Sequence, residues 1–157
     1  LNRYATGFSI KWPNDIYWHD KKIAGILIEN VLSGSTFSRA IIGMGLNINQ
    51  KNFYSDAPNP VSLHQITGHT YKIEKILDEF TEALGKRYTD TFTNSSDRIH
   101  KEYIAALYRN DGVYPFYSDG NIFHASIADV ELDGHLLLLT ESGEKKRFAF
   151  KEVSFLL

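Results

Sequence analysis

The hydrophobic pattern changes period along the chain and predicts strands, then helices, then strands again. Apolar, β-branched segments separated by turn residues occupy the first part of the chain, over residues 8–11, 15–18, 23–29 and 37–48. Their connections are too short for a helical crossover between parallel strands. We therefore predict an antiparallel meander, with its last turn at residues 33–35.

The middle of the chain changes to helical spacing. Residues 50–61 contain two prolines and predict a loop, after which Ser62 is placed to cap a short helix over residues 63–66. Apolar residues then recur every three or four positions from 73 to 88, with charged residues between them. A similar stripe runs over residues 99–107 and predicts a further helix.

Hairpin turns punctuate the last part of the chain. Asp-Gly or Ser-Gly pairs stand at positions 119–120, 133–134 and 142–143, between apolar segments over residues 122–132, 136–140 and 147–150. Short strands at such even spacing predict a small barrel or SH3-like module. The expected fold class is α+β, with a mixed or antiparallel sheet and packing helices in residues 1–108 and an all-β module in residues 109–157.

Composition excludes several classes of protein. The 157 residues are 43% hydrophobic and 23% charged, which is enough apolar material for a core. The net charge of −2 argues against polyanion binding by bulk charge, and the absence of cysteine excludes disulfide scaffolds and thiolate metal sites. No apolar run reaches the ~20 residues of a membrane span, so no membrane partner is expected.

We expect a cytoplasmic protein. The start at Leu1 leads us to expect a processed chain or a fragment.

A dense polar cluster, Lys-Trp-Pro-Asn-Asp at residues 11–15, ends the first predicted strand. Pro13 fixes its own backbone angle and keeps the preceding residue extended, so Lys11 lies at a strand end rather than inside a helix. A compact ammonium there is a suitable counter-charge where a carboxylate and a phosphate meet in a transition state. An ordinary surface ion pair between Lys11 and Asp15 explains the same residues equally well.

Two glycine-containing segments follow this cluster. Gly25 interrupts the apolar strand after residues 21–24, which indicates a bulge, a close approach of backbone or ligand, or simply a packing glycine. Residues 43–49 (Gly-Met-Gly-Leu-Asn-Ile-Asn) lack the third glycine and the following helix of a dinucleotide fingerprint. Their bare backbone and amide groups suit recognition of a ring such as adenine, and a tight sheet crossing is the alternative.

The sequence offers no pattern for metal or nucleophilic chemistry. Its six histidines form no pair at helical spacing and are expected to have no carboxylate beside them, so we predict no zinc site and no metal-binding residues. No serine stands in a nucleophile elbow, which leaves serine hydrolase chemistry unsupported.

Taken in order, residues 11–15, 22–29 and 43–49 resemble the central signature of biotin–protein ligases, which attach biotin to a lysine of carboxylase carrier domains. Residues 59–63 and the tail over residues 107–157 are similar to the rest of that family. The resemblance implies a class II synthetase-like catalytic sheet, an SH3-like C-terminal domain, and a requirement for biotin, ATP and Mg²⁺. It also implies two steps, in which the biotin carboxylate attacks the α-phosphate of ATP and an acceptor lysine then takes the biotinyl group from biotinyl-AMP.

The same resemblance implies roles for individual residues. Lys11 is the implied essential lysine, which touches the biotin carboxylate and the phosphate. The implied biotin-binding residues beside it are Gly25, Ile26 and Leu27. The implied nucleotide contacts are Asn14, Asp15, Lys22, Gly45 and Asn47.

The resemblance also implies partners, and the sequence differs from the family at several places. The expected protein partner is a biotin carboxyl carrier protein or domain, and an exposed strand edge near residues 26–42 is the candidate interface of a homodimer. The family's glycine- and arginine-rich loop over the adenylate is absent from the ten residues before Lys11, so we expect this chain alone to make little biotinyl-AMP. The glycines common in the family's tail are missing at residues 123–127. The sequence contains no recognisable DNA-binding module.

Two alternatives stay open at this point. A lipoate–protein ligase or transferase has a related fold and also uses a strand lysine, although the Trp12-Pro13 pair and the glycine and asparagine pattern of residues 43–47 favour biotin. A non-catalytic module, whose C-terminal strands bind a partner protein, is the alternative from another class.

Overall fold

The computed structural model describes residues 1–33, 36–54, 59–93 and 96–156. The chain divides into two compact units, residues 1–94 and 95–157. This division precedes the helix Ser96–Ala105, whereas the domain boundary that we predict at residues 108/109 follows it and stays a prediction.

The first unit contains, in its described part, a four-stranded antiparallel sheet in the order β1-β2-β3-β4. Its strands are β1 (Phe8–Lys11), β2 (Asp15–Trp18), β3 (Lys21–Ser33) and β4 (Thr36–Leu46). Neighbours along the chain are neighbours in the sheet, so the predicted meander is confirmed. β3 extends beyond the predicted residues 23–29 at both ends, because polar residues such as Asn30 are also paired with β4. β4 ends at Leu46, two residues before the end of the predicted segment 37–48. The predicted turn at residues 33–35 lies partly outside the described residues.

Helices follow the sheet where the change of period predicts them. α1 (Leu63–Thr67) starts with a capping box, in which the Gln65 backbone N–H donates to Ser62 Oγ and the Ser62 N–H donates to Gln65 Oε1, both at 3.1 Å. α2 (Ile73–Thr93) continues beyond the predicted stripe. Its apolar face is covered only in part, because Ile76 is 7% exposed while four other apolar residues lie exposed: Ile73, Leu77, Leu84 and Tyr88.

The core of the first unit lies on one face of this sheet. Its buried members come from β3, from the segment after β4, and from the two helices: Ile23, Ala24, Ile48, Val61, Leu63 and Ile76. The backbone N–H of Lys22 donates to Asn59, and that of Val61 donates back to Lys22, each at 2.9 Å. These bonds hold the segment before α1 against β3, so a ligand site on this sheet is to be sought on the opposite face.

The second unit joins one helix, α3 (Ser96–Ala105), to five described antiparallel strands in the order β8-β7-β6-β5-β9. The strands are β5 (Tyr114–Ser118), β6 (Asn121–Val130), β7 (Leu136–Thr140), β8 (Lys145–Phe148) and β9 (Ser154–Phe155). The predicted hairpin turns are confirmed, and each contains a glycine at positive φ: Gly120, Gly134 and Gly143. β5 and β9 are additional to the predicted strands, and they pair with each other. Across the described ranges, no helix is both long enough and apolar enough to cross a membrane.

Candidate functional site

One residue from each strand of the first sheet forms a row across its face. Lys11 in β1 pairs with Asp15 in β2, Asp15 pairs with Gly25 in β3, and Gly25 pairs with Gly45 in β4. Directly opposite residues of antiparallel strands present their side chains to the same face of a sheet. Residues from all three sequence motifs therefore meet in one line, which we call the transverse row.

A tight connection brings the first two members of the transverse row together. The bond between Trp12 and Pro13 is cis, and Trp12 is 5% exposed. The backbone carbonyl of the next residue, Asn14, accepts a hydrogen bond from the Ile26 N–H at 2.8 Å. The side-chain amide of Asn14 donates a hydrogen bond to the Ile26 carbonyl at 2.7 Å. The loop between β1 and β2 is thus fixed to β3, and both backbone polar groups of Ile26 are engaged by Asn14.

Asp15 is the anionic member of the transverse row, and it forms an ion pair with Lys22. The Lys22 Nζ lies 2.6 Å from Asp15 Oδ1, and the two side chains are 33% and 21% exposed. A register shift between Ile16 and Tyr17 places Tyr17 opposite Lys22, on the side of the sheet that carries Asp15. The alternative from sequence paired Asp15 with Lys11, whereas the ion pair in the structure joins Asp15 to Lys22.

The ion pair lies directly against the backbone of Gly25. A Cβ at Gly25 would stand 3.2 Å from Asp15 Oδ1 and 3.5 Å from both Cε and Nζ of Lys22. Gly45, its register partner, has no neighbouring atom within 4 Å of the equivalent position. The transverse row thus joins a charged part, where Lys11 and Lys22 flank Asp15, to open, bare backbone at Gly45. The two ammonium groups suit an anionic group at one end of a ligand, and the bare backbone suits a flat ring at the other.

Lys11 lies over the ring of Tyr17, with its Nζ 5.2 Å from the ring centroid. Tyr17 is 1% exposed although it shares the face of the transverse row. Burial, and in second place the negative charge of Asp15, raises the pKa of Tyr17, so the phenol stays neutral at ordinary pH. The sequence interpretation missed Tyr17, although its position two residues after Asp15 in a strand already placed it on that face.

The residues implied to bind biotin do not all face the same way. Gly25 lies in the transverse row, and Leu27 two residues later is on the same face and 61% exposed. Ile26 pairs with Met44, and its side chain lies on the opposite face of the sheet because side chains alternate along a strand. Of these three residues, only Gly25 and Leu27 therefore lie on the face of the transverse row. The implied roles of these residues stay predictions.

Asn47 follows β4 and connects the sheet to α1. Its N–H donates to the Ile23 carbonyl at 2.9 Å, its side-chain amide donates to Val61 at 3.2 Å, and its carbonyl accepts from the Leu63 N–H at 3.0 Å. The structure therefore shows a bracing role for Asn47, and a nucleotide contact by the same residue stays a prediction.

Two histidines of the second unit do have carboxylates beside them, which corrects the expectation from sequence. His100 Nε2 lies 2.7 Å from Asp129 Oδ1, and His135 Nδ1 lies 2.9 Å from Asp133 Oδ1. The first pair joins α3 to β6 over 29 positions of sequence, and such proximity depends on the fold rather than on local spacing.

One of these histidines, His135, belongs to an ionic network around Arg147. Ligand atoms of Glu131, Asp133 and His135 lie within 4.8 Å of one another, in the geometry that a cation would need. The guanidinium of Arg147 contacts all three, with Nε 2.5 Å from Glu131 Oε2 and Nη2 bonded to Asp133 and to His135 Nδ1. Hydrogen bonds from His135 lower the pKa of Asp133. Arg147 thus supplies the positive charge among these acidic groups.

The second unit also has an open, polar groove of about 410 Å³. Charged residues of both signs line it, among them Asp119, Arg147, Lys151 and Glu152. None of its lining residues belongs to the transverse row, so the groove and the motif residues are separate features.

The sequence matches known ligases over its motif region. The model of the biotin/lipoate A/B protein ligase family matches residues 4–47. The bifunctional ligase/repressor BirA of Bacillus subtilis is 30% identical over 146 residues, which cover 89% of this chain and 44% of that protein. The biotin–[acetyl-CoA-carboxylase] ligase of Paracoccus denitrificans is 30% identical over 109 residues, covering 67% of this chain and 45% of that protein. The chain thus spans less than half the length of these relatives.

Solved structures show the same fold. The biotin protein ligase of Aquifex aeolicus is 24% identical and superposes with a TM-score of 0.74 over 95% of this chain and 65% of that one. The structure of that ligase in complex with biotin and ATP gives a TM-score of 0.70 over 94% of this chain. The resemblance in sequence to biotin–protein ligases is therefore confirmed, together with an α+β fold of antiparallel sheets.

Proposed function

We propose, on the premise of this confirmed resemblance to biotin–protein ligases, that the chain takes part in ATP-dependent ligation of biotin to a lysine of a biotin carboxyl carrier domain. The observation that carries the proposal is the transverse row, because it aligns residues of all three motifs on one open face. The proposed route passes through biotinyl-5′-AMP. The biotin carboxylate forms a bond to the α-phosphorus and pyrophosphate leaves. The acceptor amine then attacks the acyl carbon, and AMP and a proton leave.

Charge at the transverse row supports the first of these steps. Two anions, a carboxylate and an α-phosphate, must approach each other, and a fixed ammonium lowers the energy of that encounter. The resemblance gives this role to Lys11, which lies on the row with its ammonium over Tyr17. Gly25 and Leu27 are proposed to line biotin, with Ile26 contributing through its backbone position between them.

A specific observation gives Lys22 an equal claim to the role of reacting cation. Its Nζ lies within 3.5 Å of the Cβ position of Gly25, at the centre of the strand proposed to lie along biotin. Its ion pair with Asp15 holds the ammonium in place, and a carboxylate-bearing ligand would compete with Asp15 for it. The resemblance implies that Lys22 contacts the nucleotide. We therefore test Lys22 and Lys11 as equal candidates for the reacting cation.

The open backbone at Gly45 supports a nucleotide site at the other end of the transverse row. We propose that the nucleotide ring lies over this glycine, next to Asn47, and that Asn14 and Asp15 contact the nucleotide nearer the charged end of the row. Mg²⁺ is proposed to enter with ATP, held chiefly by phosphate oxygens and water, as is usual for this ion.

Finer features of the family belong to the same proposal. Residues 1–108 are proposed as the later part of a class II synthetase-like catalytic domain and residues 109–157 as an SH3-like domain. A cytoplasmic location is part of it. A homodimer through the edge near residues 26–42 is supported by four exposed apolar side chains of β3 and β4: Leu27, Ile28, Ile41 and Ile42.

Calorimetry with biotin, lipoate and biotinyl-5′-AMP tests the proposal on the purified chain. We expect binding of biotin and of the adenylate, and weaker binding of lipoate. Pyrophosphate release from biotin and ATP is expected to be slow in this chain alone, and release at the rate of a ligase of the relatives' length would contradict that expectation. Equal or tighter binding of lipoate would favour the lipoate alternative, and binding of neither ligand would favour a non-catalytic module.

Lysine variants identify the reacting cation. Lys11→Ala and Lys22→Ala are compared with Lys21→Ala, which removes the same charge from a neighbouring exposed residue that pairs with Trp18 on the opposite face. Loss of biotinyl-5′-AMP affinity by roughly 10- to 100-fold is expected for the reacting lysine, the effect of removing one charged hydrogen-bond donor. An equal effect of all three variants would contradict a specific role for either lysine.

A further inference from the structure

We propose that Tyr17 is a positioning residue for Lys11: its buried ring face holds the ammonium at the transverse row. This inference rests on the proposed function, since it concerns how Lys11 is presented to biotin and ATP. It assigns Tyr17 no direct contact with either substrate.

The register places both side chains on one face of the sheet. Lys11 is opposite Asp15, Tyr17 is two residues beyond Asp15 in the same strand, and Ser9 is opposite Tyr17. Lys11 and Tyr17 are therefore diagonal neighbours, a separation that long and aromatic side chains bridge readily. The measured distance of 5.2 Å from Nζ to the ring centroid lies within the ~6 Å range of a cation–π contact.

Burial makes the ring of Tyr17 a fixed support. Tyr17 is 1% exposed, whereas the lysine side chain that it contacts is half-buried and has four rotatable bonds. An ammonium held against a packed ring has fewer orientations available than one in water, so less freedom is lost when the substrates bind.

The charge state of the phenol is consistent with this role. Because burial and Asp15 raise the pKa of Tyr17, the ring presents a neutral π face to the ammonium over the working pH range. The ring then orients Lys11 without neutralising the positive charge of its ammonium. A phenolate in the same place would form an ion pair with the lysine and reduce its effect on substrate charge.

Lysine NMR tests the contact itself, independently of any activity. The lysines of the chain are labelled with ¹³C-methyl groups, and the Lys11 signal is identified by its loss in Lys11→Arg. We expect an upfield shift from the Tyr17 ring current, retained in Tyr17→Phe and lost in Tyr17→Leu. An unshifted Lys11 signal in the wild-type chain would overturn the inference, and that measurement requires only the conservative Lys11→Arg variant to fold.

A double-mutant cycle on adenylate affinity tests the functional consequence. Tyr17→Leu is expected to weaken biotinyl-5′-AMP binding by roughly 3- to 30-fold, the range of a cation–π contact, while Tyr17→Phe stays near wild type. In a Lys11→Met background the same Tyr17→Leu change should have no further effect, because its target is gone. The control is Phe116→Leu, because Phe116 is a fully buried aromatic residue of the second unit. This variant shows how far the loss of any buried ring affects binding of biotinyl-5′-AMP.

The outcomes separate this inference from the proposed function. A wild-type chain that binds neither biotin nor biotinyl-5′-AMP would overturn the proposed function and the positioning role together. Binding with additive, uncoupled effects of Tyr17→Leu and Lys11→Met would overturn the positioning role alone. Coupled losses with rescue by Tyr17→Phe would support it, since a purely structural role would not depend on Lys11.

Discussion

The paired glycines of the transverse row allow the crowding at the charged end to be measured directly. Gly25→Ala and Gly45→Ala add the same methyl group at directly opposite positions of β3 and β4. At Gly25 the new Cβ would stand 3.2 Å from Asp15 Oδ1 and 3.5 Å from Lys22 Nζ, whereas at Gly45 no atom lies within 4 Å. Neither glycine has a positive φ, so alanine fits the backbone at both positions.

The two variants are expected to differ by about 1 kcal/mol in the free energy of unfolding. Replacing glycine by alanine at a compatible site stabilises by about 0.4–1 kcal/mol, chiefly by restricting the unfolded chain. Gly45→Ala should show that gain. At Gly25 the contact of 3.2 Å forces Asp15 to move and disturbs its 2.6 Å ion pair with Lys22. The side chains of Lys22 and Asp15 are 33% and 21% exposed, so solvent screening limits the loss to about 1 kcal/mol, which cancels the gain from the added methyl group.

Urea unfolding followed by tryptophan fluorescence is the appropriate assay. Both tryptophans of the chain, Trp12 and Trp18, lie in the first unit, so the signal reports the unit that contains the substitutions. The denaturant slope should stay unchanged while the midpoint shifts. In an Asp15→Ala background, Gly25→Ala should recover the gain seen at the other glycine. Equal effects of the two single substitutions, or a difference that persists without Asp15, would refute the reasoning.

Three further predictions follow from single contacts in the first unit. Asn14→Ala removes the 2.7 Å bond to the Ile26 carbonyl and should lower the free energy of unfolding by about 1–3 kcal/mol in urea titrations, and no change would mean that the amide does not hold the loop. Ser62→Ala removes the buried cap of α1 and should cost about 0.5–2 kcal/mol, with Ser62→Asn as the conservative control that retains most stability. The 2.7 Å bond to Glu79 raises the pKa of Tyr4, so its stabilising effect is present below pH 10 and is lost as pH rises through the folded-state value. Tyr4→Phe should therefore reduce the alkaline destabilisation in thermal melts between about pH 9 and 12, and an unchanged profile would exclude that linkage.

Local chemistry was enough to predict most of the fold. The short, turn-separated apolar segments before residue 50 allow only an antiparallel meander, because a parallel crossover needs a dozen or more residues. Ser62 marked the start of α1, and glycines in the three hairpin turns marked the strands of the second unit. These features depend on neighbours in sequence, which is why the sequence alone determined them.

Burial and side-chain partners depended on tertiary structure. The apolar stripe of α2 predicts a buried face, yet Leu77, Leu84 and Tyr88 are exposed, since periodicity defines a face without supplying what covers it. The carboxylate beside His100 was missed because Asp129 lies 29 positions away and only the fold brings it near. The carboxylate beside His135 belongs to Asp133, two residues earlier, so that pair had a local signal that the sequence analysis missed.

The candidate site shows the same division. The sequence by itself determined which residue types the three motifs contain: a lysine and an aspartate in the first, and a glycine in each of the other two strands of the row. Only the pairing register of four strands decided that these residues form one transverse row. The register shift between Ile16 and Tyr17 then brought Tyr17 opposite Lys22, with Lys11 over the ring of Tyr17. Because a slip of one residue in any pairing would send a side chain to the other face, the row exists only in the folded sheet.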